Sequence, residues 1–203
     1  KDLYFQALKT PEGYVSDQVG LLLPTSLCSS QVSLVIAHQI NKTLLPGPLS
    51  RIVTIPHSEG CGYASGESQD LFLNTLLSYL KHPNVGAALL LEHGCDKIHN
   101  GVVCSQLRKT GIDPGKFGTA SIQLDGGLEN VSKKVIKWFE SKQKAMPSIK
   151  QQKVGIGHLS IGMLSQPPIK KTAAIALKRL VSHLLGNDTT LIVPENDRLL
   201  DLL

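Results

Sequence analysis

The chain has 203 residues, 41% hydrophobic and 18% charged, with 18 glycines and 11 prolines. That composition buries one sizeable core and excludes a disordered, collagen-like or disulfide-packed protein. The net charge of +5 is spread over lysines from Lys133 to Lys178, with only 4% aromatic residues, so the basic patch with interleaved rings of a nucleic-acid binder is missing. A mildly basic surface suits a carboxylate substrate instead. The longest apolar runs, Val19–Pro24 and Val85–Leu91, are far shorter than the roughly 20 residues of a membrane-spanning helix, so no membrane partner is expected. Four cysteines without a charged-then-apolar leader point to a reducing compartment, with the cytoplasm as the expectation.

After a lead-in over residues 1–18, β-rich runs alternate with segments whose apolar residues recur at three and four. Val19–Thr25 reads as a strand and Ser29–Lys42 as a helix with Val32, Val35, Ile36 and Ile40 inward. The turn Pro46-Gly47-Pro48 leads to a strand at Arg51–Pro56, a Gly- and Ser-rich loop over Ser58–Gly66, and a helix at Ser68–Lys81 with Leu73, Leu76, Leu77 and Leu80 on one face. Val85–Leu91 is unbroken apolar sequence, expected for a central strand covered on both faces. A helix near Asp96–Lys109, a strand at Thr119–Leu124 and a helix capped by Asp125, with Leu128, Val131, Val135 and Phe139 inward, come next. Beyond a linker at Pro147–Gln152 follow a strand at Val154–Leu159, a helix carrying Leu177, Leu180, Val181 and Leu184, and a strand at Thr190–Val193.

The order of elements predicts an α/β domain over residues 19–203: an open, doubly wound, mostly parallel and Rossmann-like sheet of about six strands, with a subdivision near 147–152. The amphipathic segment starting at Glu195 reads as the beginning of something further, as in a fragment of a longer enzyme. Ligands of such sheets bind beyond the carboxyl ends of the strands, where the strand order reverses.

Three cysteines fall just after the ends of predicted strands. Cys28 follows Pro24-Thr25, Cys61 follows His57-Ser58-Glu59-Gly60, and Cys95 follows Glu92-His93-Gly94. Thiolate with imidazole suits iron or zinc, while Glu59, Glu92 and Asp96 offer oxygen ligands or proton transfer. Cys104, beside Val102 and Val103, reads as packing. Gly60, Gly62 and Gly66 allow close backbone approach; the helix start at Cys28 and Ser29, and the polar group Lys97, His99 and Asn100, offer contacts for an acid. Two phosphate motifs fail: Gly111–Phe117 is one residue short of a phosphate loop, and Gly155, Gly157 and Gly162 lack dinucleotide spacing.

The strings LLLPTSLCSS (Leu21–Ser30), IPHSEGCG (Ile55–Gly62), HPNVGAALLLEHGCDKIHN (His82–Asn100) and SIQLDGG (Ser121–Gly127), with a weaker TTLIVPEN (Thr189–Asn196), resemble the altronate and galactarate dehydratases, hydro-lyases of sugar-acid breakdown. The resemblance implies a metal-dependent dehydration of a hydroxylated carboxylate such as an aldonate or aldarate. It implies Cys28, His57, Cys61 and Cys95 as metal ligands, His57, His93, Glu92 and Lys97 as catalytic candidates, and Ser29, Gly60, Gly62, His99 and Asn100 as substrate contacts. Ferrous iron is the expected metal ahead of Mn2+ or Zn2+, and an iron–sulfur cluster is compatible with the same residues. Further domains of the same enzyme or a second copy are the expected protein partners.

The chain departs from the family in two places. Ser16-Asp17-Gln18-Val19 stands where members carry Gly-Thr-Arg-Asn, and His158-Leu159-Ser160-Ile161-Gly162 where they carry Cys-Gly-Gly-Ser-Asp. These departures motivate the alternative expectation of a catalytically silent sugar-acid-binding or assembly module.

Overall fold

The structure is a computed structural model that describes residues 3–11, 13–43, 46–60, 62, 65–166 and 168–202. Its elements run β1 (Tyr4–Thr10), β2 (Gly13–Val15), β3 (Val19–Pro24), α1 (Leu27–Thr43), β4 (Ile52–Thr54), α2 (Glu67–Leu80), β5 (Val85–Glu92), α3 (Asn100–Lys109), β6 (Gly118–Ser121), α4 (Leu128–Ala145), β7 (Gln151–Gly155), β8 (Ser160–Gly162), α5 (Lys171–Leu185) and β9 (Thr190–Ile192). The chain divides into two compact units, Asp17–Ile149 and the combination of residues 1–16 with 150–203.

In the unit Asp17–Ile149, four strands form one parallel sheet in the order β4-β3-β5-β6. The two inner strands are the two apolar runs, because only a strand covered on both faces can bury every side chain. Alternation along them divides the core into two layers. Leu22 of β3 with Leu89 and Leu91 of β5 pack against Ile36 and Ile40 of α1 and Val131, Val135 and Phe139 of α4. Leu21, Leu23, Ala88 and Leu90 pack instead against Phe72, Leu73, Leu76, Leu77 and Leu80 of α2 and Val103 and Leu107 of α3. Each fully buried leucine contributes about 1.5–3 kcal/mol of transfer free energy, so these layers dominate the unit's stability.

Gly20 shows how closely β3 is packed. A Cβ built there would lie 2.5 Å from Ile52 Cδ1 and 2.9 Å from Phe139 Cε1. The missing side chain is what lets α4 and β4 approach the strand at this level.

The unit of residues 1–16 and 150–203 has its own sheets. β1 pairs antiparallel with β2 on one side and with β7 on the other, and β8 and β9 form a two-stranded parallel pair joined through α5. The expected single, mostly parallel sheet of about six strands is therefore corrected to three sheets among the described residues. The expected strand at Val154–Leu159 became the antiparallel β7 because β1, expected to be lead-in, supplies its partner: Phe5 faces Val154 and Leu8 faces Gln151.

Several helix faces are also rotated from expectation. Val35, Leu128 and Leu180 are exposed, whereas Val131, Val135, Phe139, Val181 and Leu184 are buried. Asp125 does not cap α4. Gly126 and Gly127 both have positive φ, 81° and 93°, which moves the cap to Gly127 and leaves Asp125 to accept from Ser121 N at 2.8 Å and to pair with Lys134. No helix among the described residues is long and apolar enough to cross a membrane.

Candidate functional site

The reversal of strand order lies between β3 and β5, since the chain first moves outward to β4 and then returns past β3. Parallel sheets of this kind take ligands outside the carboxyl ends of the strands at that point. Pro24 and Thr25 stand there. Thr25 donates its N–H to Leu91 O at 3.0 Å, and the Pro24 carbonyl accepts from His57 Nε2 at 3.1 Å. The loops after β3, β4 and β5 thus share one edge.

After β3, four serines organise the start of α1. Ser26 Oγ accepts from Ser29 N at 3.4 Å, and Ser29 Oγ accepts from Ser26 N at 3.2 Å, a reciprocal cap of the helix start. Ser30 Oγ donates to Ser26 O at 3.0 Å and accepts from His57 N at 3.2 Å, and Ser33 and Thr54 hydroxyls meet at 2.6 Å. Ser29 is fully buried in this turn, whereas Cys28 is exposed in the helix's first turn. The helix dipole makes that first turn favourable for an anion.

After β4, Glu59 O accepts from Leu27 N at 2.5 Å, tying the loop to α1. His57 stacks edge-on against Phe72, centroids 4.8 Å apart. With Nε2 donating to Pro24, its Nδ1 is buried with no partner among the described residues. Leu27, Ser30, Gln31, Pro56, His57 and Ser58 line an open groove of about 390 Å³. Gly62 is exposed and Gly60 half-buried. Cys61 lies outside the described residues.

After β5, the chain makes a tight corner. Gly94 has φ 122°, and a Cβ there would also strike Gln123 Cβ at 2.8 Å. Asp96, 7% exposed, accepts with Oδ2 from His93 N at 2.7 Å and Gly94 N at 2.9 Å. This brings His93 Nδ1 to 3.3 Å from Cys95 Sγ. Glu92, 6% exposed, accepts from Asn100 N at 2.5 Å, as a carboxylate should at a helix start. Asn100 Nδ2 donates to Ala120 O at 3.0 Å. His99 caps α3, its Nδ1 accepting from Gly101 N at 3.1 Å, and Lys97 Nζ donates to Ser65 Oγ at 2.8 Å. Half-buried Cys104 packs against the α2/α3 layer, and burial, with Glu92 adding to it and Arg108 opposing, pushes its thiol above the usual range.

Of the residues singled out from the sequence, His93 with Cys95 and Glu92 with Asn100 are therefore in contact, while Cys28 and His57 stand on neighbouring loops of the same edge. Among the described residues no three His, Cys, Asp or Glu side chains gather into a metal-holding group. Sequence reasoning missed Ser26, Ser30 and Pro24, which position the others. It also read Asp96 only as an oxygen ligand or proton-transfer group, whereas its carboxylate reaches back along the chain to the N–H groups of His93 and Gly94.

The model of a protein family described as D-galactarate dehydratase/altronate hydrolase, second domain, matches residues 19–146. No curated protein matches the chain. The matched span holds the whole four-stranded sheet with α1 to α4 and every site residue described above. The chain belongs to the D-galactarate dehydratase/altronate hydrolase family, and residues 19–146 are its second domain.

Proposed function

We propose that the chain binds a hydroxylated sugar acid at the carboxyl edge of β3 and β5 and acts in its dehydration. The observation that carries this reading is the coincidence of the family match over residues 19–146 with a sheet whose reversal point gathers the His57, Glu92, His93 and Cys95 loops. Removing water from such an acid requires a base for the carbon-bound proton beside the carboxylate, positive groups for the enediolate, and an acid for the departing hydroxyl.

His93 is the base candidate best supported, being half-buried with its ring beside a thiol rather than locked to backbone. The exposed Lys97 ammonium and the first turn of α1 suit the substrate carboxylate. Glu92 and His57 are better read as positioning groups, because Glu92 is occupied by the start of α3 and His57 Nε2 by Pro24.

A ferrous ion would supply Lewis-acid chemistry at such a site. The described residues do not complete a site for it: Cys95 Sγ, in contact with the base candidate His93, is one donor, short of the three protein ligands of a catalytic centre. Cys28 and Cys61 are the proposed remaining ligands, tested by anaerobic purification and elemental analysis for iron, manganese and zinc. A second reading, motivated by the two departures of the sequence from the family's pattern, is a silent sugar-acid-binding or assembly module. The protein carrying this chain is assayed with a panel of aldonates and aldarates, scoring keto-acid formation and, by calorimetry, binding. Turnover lost in His93→Gln supports the first reading, saturable binding without turnover supports the second, and neither turnover nor binding removes both.

A further inference from the structure

The parallel sheet of the unit Asp17–Ile149 ends at β4, which among the described residues pairs with β3 alone. Gly20 donates its N–H to Arg51 O at 2.9 Å and stands opposite Ile52. In a parallel pair this register turns the N–H and C=O of Val53 toward β3, and those of Ile52 and Thr54 away from it. An outward row of this kind is a template for a further strand.

One side chain closes the row at Ile52. Asn41 of α1 donates from Nδ2 to Ile52 O and accepts at Oδ1 from Ile52 N, both at 2.7 Å. A primary amide carries donor and acceptor in one plane, as a peptide group does, whereas a carboxylate only accepts and an ammonium only donates. Asn41 thus occupies the place of a neighbouring strand. Two residues beyond Thr54, Pro56 has no N–H with which to extend the row.

We propose that β4 is a latent self-association edge that Asn41 holds closed, and that the strand it would take is β4 of a second copy. The segment Ile52–Thr54 suits itself, because it bears no charge. Antiparallel pairing about a two-fold axis sets Ile52 against Thr54 of the copy and Val53 against its own counterpart, with no like charges opposed. Each pair of Ile52 with Thr54 then exchanges two backbone hydrogen bonds. Neither Asn41 nor these backbone groups take part in the candidate site, so the inference stands apart from the dehydration reading.

In the unmodified chain, amide hydrogen exchange is expected to be about tenfold slower at Ile52 than at Thr54, two outward positions of one strand that differ in the Asn41 bond. In Asn41→Ala, sedimentation over a concentration series is expected to reach a mass about twice that of the unmodified chain. Adding Thr54→Pro, which removes an outward N–H and no bond to β3, is expected to restore the original mass. Equal exchange at Ile52 and Thr54 in the unmodified chain would overturn the proposal without recourse to any variant. So would an Asn41→Ala chain that keeps the folded Trp138 fluorescence yet gains no mass at any concentration, or a gain in mass that survives Thr54→Pro.

Discussion

Gly20→Ala tests whether β3 is held by steric fit against its neighbours, and β3 ends at Pro24, which with the following Thr25 is where the site's loops converge. The added methyl would stand 2.5 Å from Ile52 Cδ1 and 2.9 Å from Phe139 Cε1, and both side chains are buried in the α1/α4 layer. Overpacking of this kind costs about 1–3 kcal/mol. Ile52→Val removes Cδ1 itself, and alone costs about 0.5–1.5 kcal/mol for the lost methyl. In the double variant the new methyl enters the space that Cδ1 leaves, so the combined loss should fall short of the sum by about 1 kcal/mol. Urea unfolding followed by tryptophan fluorescence measures this, because the chain's one tryptophan, Trp138, sits edge-on to Phe139 with centroids 4.9 Å apart. Additivity within about 0.5 kcal/mol would refute the steric account.

Three further outcomes are expected. Asp96→Ala removes a charged acceptor from two N–H groups and should loosen the corner by about 1.5–3 kcal/mol, seen as faster hydrogen exchange at His93 and Gly94 than in β5. Ser26→Ala should lower stability by about 1 kcal/mol through loss of the α1 cap, measured by thermal unfolding. Burial alone would raise the Asp125 pKa, but the Lys134 hydrogen bond and the Ser121 N–H outweigh it and hold the carboxyl below its usual range. Its folded pKa is thus depressed, so its stabilisation is fully present above the unfolded value near about 3.9 and is lost as pH falls through the folded value. Urea midpoints taken down through that window should drop less steeply in Asp125→Asn.

The parallel sheet was legible because β3 and β5 bury both faces, and unbroken apolar runs of strand length have few other uses in a chain of mixed composition. The second unit was not, for a different reason. Tyr4–Thr10 takes one short partner nearby, Gly13–Val15, but its longer ladder is with Gln151–Gly155, and no local pattern announces a partner that far along the chain. Helix phase failed where a second stripe was available: Leu128 sits in the right period with Val131 and Val135, yet it is the first residue after the Gly127 cap and stays exposed, while Val131 and Val135 reach the core. At the site, the residue types that carry chemistry were legible from their position after strand ends. Their supports were not, because Ser26, Ser30 and Asp96 act through backbone amides, and such bonds depend on loop geometry rather than on residue type.

The direction of the sheet also assigns weight to the chain's two departures from its family. Gln18 precedes β3 and so stands at the amino end of that strand, while Cys28, His57, His93 and Cys95 follow the carboxyl ends. Its side chain is buried against Gly86, whose absent Cβ would meet Gln18 Cγ at 2.5 Å, and the neighbouring Asp17 pairs with Arg51 at 2.6 Å. Replacement of the Gly-Thr-Arg-Asn stretch therefore alters the edge opposite the candidate site and subtracts no group from the corner where His93 and Cys95 meet. The second departure, His158–Gly162, lies in the other unit, outside the matched span. Within the unit Asp17–Ile149, the test of an active lyase domain against a silent module therefore falls on the loops that follow β3, β4 and β5, and on whether Cys28 and Cys61 join Cys95 in holding a metal.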